Sequence, residues 1–158
     1  MSKPLIFTIL LVICFFLPLH CFVMGNDYGV GIQGAFYRYQ VTVYGNSVIP
    51  ITNEVGYIID GIYTGAEALS VILWVIGGLF LIIATFLFFR TVRFPQMPAR
   101  SAGIILIIAG IFFVISCISR YGLTFSNAAG LSIPAGYAVI FMLGFFLTYA
   151  KGEQNVNI

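Results

Sequence analysis

The 158-residue chain is 61% hydrophobic and only 8% charged, with a formal net charge of +2 and a mean hydropathy of +1.07. Soluble domains carry about 25% charged residues, so this composition excludes an ordinary water-soluble protein. The small net charge, with no run of Lys or Arg, also excludes a nucleic-acid-binding surface. We therefore expect a single membrane domain, residues 1–158, whose main partner is the lipid bilayer.

Four long apolar runs account for most of the chain. Each is close to the about 20 residues that a helix needs to cross a hydrocarbon core of ~30 Å. The sequence therefore predicts an all-α integral membrane protein, a four-transmembrane-helix bundle with a small β-hairpin or sheet in its first extracytoplasmic loop. The predicted helices are 5–24, 68–89, 102–119 and 131–150, and the predicted β-rich loop is 25–67.

The first apolar run has a second interpretation. Lys3 followed by apolar residues and Gly25 also fits a secretory signal cleaved after Gly25. The run exceeds the ~7–15 residues of an ordinary signal core, which favours a spanning helix. Pro18 predicts a kink in that helix. His20, just beyond it, is expected to be neutral and bonded to a freed backbone carbonyl, the alternative being a metal or proton site with a cysteine.

The basic residues predict the orientation. Arg90, Arg93 and Arg100 flank the link between the second and third runs, Lys3 precedes the first run and Lys151 follows the fourth. Four of the five acidic residues lie between the first and second runs. Because an excess of Lys and Arg marks cytoplasmic loops, we expect a multi-pass protein of the cell membrane with both termini cytoplasmic.

The first outer segment contains a predicted hairpin. Residues Ala35–Tyr44 are rich in β-branched and aromatic side chains, as strands are. Gly45 and Asn46 suit a two-residue turn, and Ser47–Thr52 returns as the partner strand. Pro50 has no N–H to donate, so it confines this second strand to a sheet edge.

This hairpin is expected to be a recognition surface. Strand alternation places Tyr37 and Tyr39 toward the helix ends or a partner, and Arg38 toward water. A third strand is expected at Val55–Asp60. The residues that we assign to the outer hairpin are Tyr37, Arg38, Tyr39, Gly45 and Asn46.

A stripe of small residues runs down the third predicted helix at a strict seven-residue spacing. Small residues let helix backbones approach closely, and in membranes they mark helix–helix contacts. The stripe therefore predicts a packing seam, against this chain or against another subunit. Its members are Ala102, Gly103, Ala109, Gly110, Ser116 and Cys117.

The sequence contains no catalytic, cofactor or metal motif. No ionisable residue lies in the middle of an apolar run, where such groups mark proton or ion pathways. Cys14, Cys21 and Cys117 all lie in apolar runs and are expected to behave as small hydrophobes, with a Cys21–Cys117 disulfide as the alternative. We therefore expect a protein that is not an enzyme and that binds no cofactor and no metal.

The layout of four helices, a β-rich first outer loop and a short second one resembles the claudin-type tetraspan plan. The Trp, Gly-Leu-Trp and cysteine-pair signature of that family is absent from residues 25–66. The leading hypothesis is a non-catalytic accessory or structural subunit, packed against other membrane subunits or itself through its helix seam and outer loop. The alternatives are a channel or transporter component with a pore at an oligomer interface, and a claudin-like cell-surface adhesion protein.

Overall fold

The computed structural model describes residues 3–25, 29–94 and 99–149, and within them it has five helices and six strands. The helices are α1 (Lys3–Phe16), α2 (Ile51–Ile59), α3 (Gly65–Arg93), α4 (Arg100–Tyr121) and α5 (Tyr137–Tyr149). The strands are β1 (His20–Met24), β2 (Gly29–Gln33), β3 (Tyr37–Thr42), β4 (Gly45–Pro50), β5 (Ser126–Asn127) and β6 (Gly130–Pro134).

The predicted all-α four-helix bundle is wrong. The six strands form one antiparallel sheet, and in the described part of the chain only α3 and α4, of 29 and 22 residues, are long and apolar enough to cross a membrane. At 1.5 Å per residue these helices span about 43 and 33 Å. The apolar helices α1 and α5 have only 14 and 13 residues.

The first and fourth apolar runs are each divided between a helix and a strand. In the first run Pro18 follows the end of α1 instead of kinking a longer helix, and β1 continues the apolar sequence. In the fourth run β6 ends at Pro134, and α5 starts three residues later. Short apolar segments fit either structure, so strand pairing, which the sequence does not display, decides between them.

Strand β1 holds the sheet together. The strand order is β4-β3-β2-β1-β6-β5, so β1 joins the meander that follows α1 to the hairpin between α4 and α5. It pairs with β2 from His20 to Val23 and with β6 from His20 to Met24. Cleavage after Gly25, the alternative for the first run, would remove this central strand.

The predicted hairpin pairs through a different turn. Strands β3 and β4 are antiparallel neighbours, but Thr42 pairs with Gly45, so Val43 and Tyr44 form the turn. Gly45 follows the turn with a φ of 119°, in the region that glycine adopts without strain. Strand β4, which ends at Pro50, lies at the sheet edge as predicted.

The predicted third strand at Val55–Asp60 is also wrong, because α2 covers Ile51–Ile59. Ile51, Glu54, Val55 and Ile58 recur at the spacing of one helical face. Glu54 on this face is fully buried. The β-branched residues of this segment favour a strand, but the spacing of its apolar residues indicates a helix.

The core lies between the helices and the inner face of the sheet. Helices α3 and α4 pack against each other along their length, and α5 packs on α4. Ser70 and Ser116 connect α3 to α4 reciprocally, each hydroxyl donating to the other residue's carbonyl at 2.8 and 2.7 Å. Trp74 on α3 joins the helices to the sheet by donating from Nε1 to the carbonyl of Gly34 at 3.0 Å.

Candidate functional site

The outer face of the sheet, directed away from the helices, is apolar across five strands. The pairing register places Val48, Tyr39, Ile32, Cys21 and Ile133 in one row. A second row runs from Val41 through Val30 and Val23 to Leu131. We call these nine residues the outer sheet face. None of the nine is charged, and the residues at the centre of the face line a groove of about 320 Å³.

The inner face of the same sheet is polar and buried. His20, Gln33, Arg38 and Ser132 point toward the helices, and each exposes 4% or less of its surface. The predicted outward orientation of Arg38 is therefore wrong. Because strand side chains alternate, the apolar Tyr39 and Val41 lie on the outer face instead. The predicted alternation is correct, but the direction of the two faces is reversed.

Arg38 on β3 forms the centre of this polar cluster. Its Nη1 lies 2.7 Å from Glu54 Oε1 on α2, and its Nη2 donates to Gln33 Oε1 at 3.0 Å. Its guanidinium carbon lies 5.6 and 5.9 Å from the ring centroids of Phe22 and Trp74. The cluster therefore fixes α2 and α3 against the sheet. Two charges removed from water in this way are tolerated only when they remain paired.

The electrostatics of Arg38 follow from its burial. Removal from water lowers its pKa, the charge of Arg120 lowers it further, and Glu54 opposes both effects. An arginine nevertheless stays protonated, because its ordinary pKa exceeds 12. The pair with Glu54 lacks hydrogen-bond geometry, and three atoms in this cluster have no hydrogen-bond partner within the described residues: Arg38 Nε and both carboxylate oxygens of Glu54.

His20 completes the polar cluster on β1. Its Nδ1 lies 2.8 Å from Ser132 Oγ, which is 3.2 Å from Cys117 Sγ. Burial, with a contribution from the charge of Arg38, lowers the pKa of His20 to about 3. His20 is therefore neutral at physiological pH as expected, although its partner is a side-chain hydroxyl instead of a backbone carbonyl. No group of three metal-ligating residues occurs within the described ranges.

A small cleft opens beside the cluster, where α3 begins and α4 ends. It has a volume of about 240 Å³ and is lined by Arg38, Arg120, Glu67, Tyr121 and several apolar or backbone groups. Arg120 Nη2 lies 3.4 Å from Glu67 Oε1, and its guanidinium carbon lies 5.7 Å from the ring centroid of Tyr63. The Nη1 atom of Arg120 has no hydrogen-bond partner among the described residues.

The six seam residues are all buried inside this chain. A Cβ added to Gly103 would lie 2.5 Å from the backbone nitrogen of Thr148 on α5, and one added to Gly110 would lie 3.0 Å from the ring of Phe141. Further along the stripe, Ser116 bonds to α3 and Cys117 contacts Ser132 on β6. The seam thus packs against α5, α3 and β6 of this chain.

The five predicted hairpin residues lie in different environments. Tyr37 donates from its hydroxyl to the carbonyl of Phe16 at 2.9 Å, so it holds the end of α1. Arg38 is buried in the polar cluster, and Tyr39 lines the outer groove. Gly45 and Asn46 are exposed at the start of β4. The structure therefore does not unite them in one surface.

Sequence reasoning missed Glu54, Gln33 and Ser132. The burial of Glu54 was detectable, because it occupies the apolar face of a helical pattern. Gln33 and Ser132 are brought to His20 and Arg38 only by pairing across β1, and no local sequence signal marks them. The three cysteines are free, which excludes the Cys21–Cys117 disulfide.

Comparison of the sequence with known protein families finds no match, and comparison with curated proteins finds none either.

Proposed function

We propose that this chain is a non-catalytic membrane subunit that presents the outer sheet face to another protein. The observation that carries the proposal is the continuous, uncharged surface formed by nine side chains on five strands, six of them exposed and three half-buried. Isolated exposed hydrophobic residues are common, but a contiguous apolar patch on a protein surface marks an interaction site. The polar cluster behind it serves as a rigid support, because its charges and hydrogen bonds hold the sheet on the helices.

The helices supply the membrane anchor in this proposal. Long apolar side chains are exposed along α3 and α4 from end to end, as lipid contact requires. Helices α1 and α5 extend the same apolar surface and run beside them. The aromatic pair Phe7–Phe88 and the contact of Gly103 with Thr148 place the start of α1 and the end of α5 at the end of the helical layer that is remote from the sheet.

The charge distribution gives the orientation. Arg90 and Arg93 end α3 and Arg100 starts α4, so these three residues lie at the end opposite the sheet. Because loops rich in Lys and Arg face the cytoplasm, this end of the helices is cytoplasmic and the sheet lies on the extracytoplasmic side. The protein is then multi-pass in the cell membrane, with both termini cytoplasmic.

We expect a cysteine at the sheet edge to be accessible from outside the cell. In a Cys21→Ser background, Asn46→Cys should react with a membrane-impermeant thiol reagent on intact cells, because Asn46 is exposed on β4. The matched control, Arg93→Cys, should react only after permeabilisation. The reverse pattern would overturn the orientation.

The occupant of the outer sheet face is a convex apolar element of a different protein. The sheet packs beside the first half of α3, because Trp74 donates to the carbonyl of Gly34 and a Cβ at Gly78 would lie 2.9 Å from the ring of Phe36. The centre of the face is a groove, and two such concave faces would leave space between two copies. A helix with an apolar surface, about 10 Å across, fits a groove of this kind better.

A photocrosslinking amino acid at Val30 should identify this occupant. Val30 lies at the centre of the face and is exposed. We expect irradiation of native membranes to give one adduct with another protein, and Ile133→Glu to abolish it while the thermal unfolding temperature stays unchanged. The same probe at Val43, in the exposed turn outside the face, is the control. An adduct of twice the mass of this chain, an adduct with lipid, or equal labelling from Val43 would overturn the proposal.

The two other functions have less support. A pore at an oligomer interface needs small and hydroxyl residues on the surface, whereas the seam residues and Ser70 are packed inside this chain. An adhesion role would use the outer sheet face between cells. It would be distinguished by a Val30 adduct that forms only when two cell populations are mixed.

A further inference from the structure

The level of the sheet in the proposed membrane placement follows from its contacts with α3. No charged residue lies between Glu67 and Arg90, so this stretch is the part of α3 that crosses the hydrocarbon core. A core of ~30 Å takes about 20 residues of helix, counted outward from Arg90. The outer limit of the core then falls near Ser70, and Trp74 and Gly78 lie about 6 and 12 Å below that limit.

The turn between β2 and β3 lies below the outer limit. Gly34 and Phe36 flank this turn, and they contact Trp74 and Gly78, respectively. The turn is therefore about 6–12 Å inside the hydrocarbon core. The strands rise from it toward the start of α3, since Met24, the last residue of β1, lines the cleft at that end of the helix.

The middle of the sheet lies at the outer limit. Ser132 in β6 lies 3.2 Å from Cys117 Sγ. The residue before Cys117 accepts a hydrogen bond from Ser70, which marks this limit. Ser132 is therefore at about the same level, and the rise of a strand places Ile133 about 3 Å below it and Leu131 about 3 Å above it. The two rows of the outer sheet face thus lie on either side of the outer limit.

Helix α1 continues the apolar surface toward the cytoplasm. Ile6, Ile9, Ile13 and Phe16 are exposed and recur at the spacing of one helical face. Leu11, on the other side of the helix, is buried where α1 packs on α3 and α5. The exposed row of α1 and the outer sheet face are therefore both directed away from α3.

The two surfaces meet where α1 enters the sheet. Phe16, the last residue of α1, accepts a hydrogen bond from Tyr37 at the start of β3, and β1 begins at His20. The 14 residues of α1 and the 5 residues of β1 span about 21 and 17 Å. Their combined length of about 38 Å is close to the about 40–45 Å of a whole bilayer with its headgroups.

We infer that the partner segment on the outer sheet face is a membrane-spanning helix, which continues along the exposed row of α1. This inference rests on the proposed function and names the part of the partner that binds. A soluble domain would reach only the upper row of the face, because the bilayer covers the lower row and α1. A spanning helix passes both surfaces, and it satisfies its own backbone hydrogen bonds at this depth.

Photocrosslinking amino acids at Val30 and Ile13 test the inference in native membranes. Phe7 contacts Phe88 near the end of α3, which places Ile13 about 22 Å closer to the cytoplasm than Val30. We expect both probes to react with the same protein, at positions about 15 residues apart in one apolar segment of about 20 residues. The same probe at Ile111, exposed on α4, is the control and should react with lipid.

The pattern of adducts separates this inference from the proposed function. If Val30 captured a soluble domain, or a protein that Ile13 did not capture, the partner would not be a spanning helix, while the proposed function would stand. If Val30 captured no protein, both would be overturned.

Spin labels test the level of the sheet without the partner. The experiment uses the purified protein in lipid nanodiscs with Cys21→Ser, since Cys14 and Cys117 are buried. A label at Ile133→Cys should have a several-fold higher ratio of accessibility to oxygen over a water-soluble nickel complex than a label at Tyr44→Cys, in the exposed hairpin turn. Equal ratios at the two positions would place the outer sheet face in water and overturn the inference.

Discussion

Replacing Glu54 with Gln should lower the free energy of unfolding by about 3–5 kcal/mol, because it leaves the charge of Arg38 buried without a counter-charge. Glu54 is fully buried, and its Oε1 lies 2.7 Å from Arg38 Nη1. Gln keeps the volume of the side chain, so the effect reports the charge. The measurement is denaturant unfolding of the purified protein in micelles, followed by the fluorescence of Trp74, which contacts Arg38.

Two comparisons separate the loss of charge from general disruption. Glu67→Gln, in the partly exposed pair with Arg120, should change the free energy of unfolding by no more than about 1 kcal/mol. The double variant Arg38→Met with Glu54→Leu should recover most of the stability lost in Glu54→Gln, since apolar replacements of a buried ion pair are often neutral. Equal losses in Glu54→Gln and Glu67→Gln would contradict the buried-pair interpretation.

The sequence is informative about the helices but not about the sheet. The two central apolar runs are helices, α3 and α4, because their length and continuous hydropathy leave few alternatives. The first and fourth runs also look like helices, yet each gives residues to β1 or β6. Those strands exist because they pair with each other across more than 100 residues of sequence, as His20 does with Pro134. A local pattern does not contain that information.

The candidate site was predictable only in part. The sequence predicts the hairpin of β3 and β4 but reverses its burial, because strand alternation puts Arg38 on the more polar face and that face is expected to meet water. Its actual position depends on Glu54 and Gln33, which come from α2 and β2. The sequence does not indicate the outer sheet face, because its two rows combine strands of the first outer segment with β1 and β6, which lie in the first and fourth apolar runs. The register that aligns Cys21 with Ile32 and Ile133 became visible only in the folded sheet.

The second large effect on stability is expected at Gly103 in the small-residue seam, where α4 closely approaches α5. A Cβ at Gly103 would lie 2.5 Å from the backbone nitrogen and the Oγ1 of Thr148, and 2.6 Å from the carbonyl oxygen of Gly144. Two of these three atoms belong to the backbone of α5, which cannot rotate away as a side chain can. Insertion of extra atoms into a packed interior costs about 1–3 kcal/mol even where side chains can adjust, and we expect the upper end or more here.

Gly103→Ala should therefore destabilise the chain by ~3 kcal/mol or more and separate α5 from α4. Gly110→Ala should cost less, because its nearest neighbours are ring atoms of Phe141 at 3.0 Å that can shift. Gly56→Ala is the matched control: no atom lies within 4 Å of its added Cβ, and alanine inside a helix is favoured over glycine by about 0.5–1 kcal/mol. Denaturant unfolding of the three variants in micelles measures their free energies of unfolding and so ranks them. If Gly103→Ala proved as stable as Gly56→Ala, α5 would not pack on α4 at this distance, and the seam would be free to face another subunit.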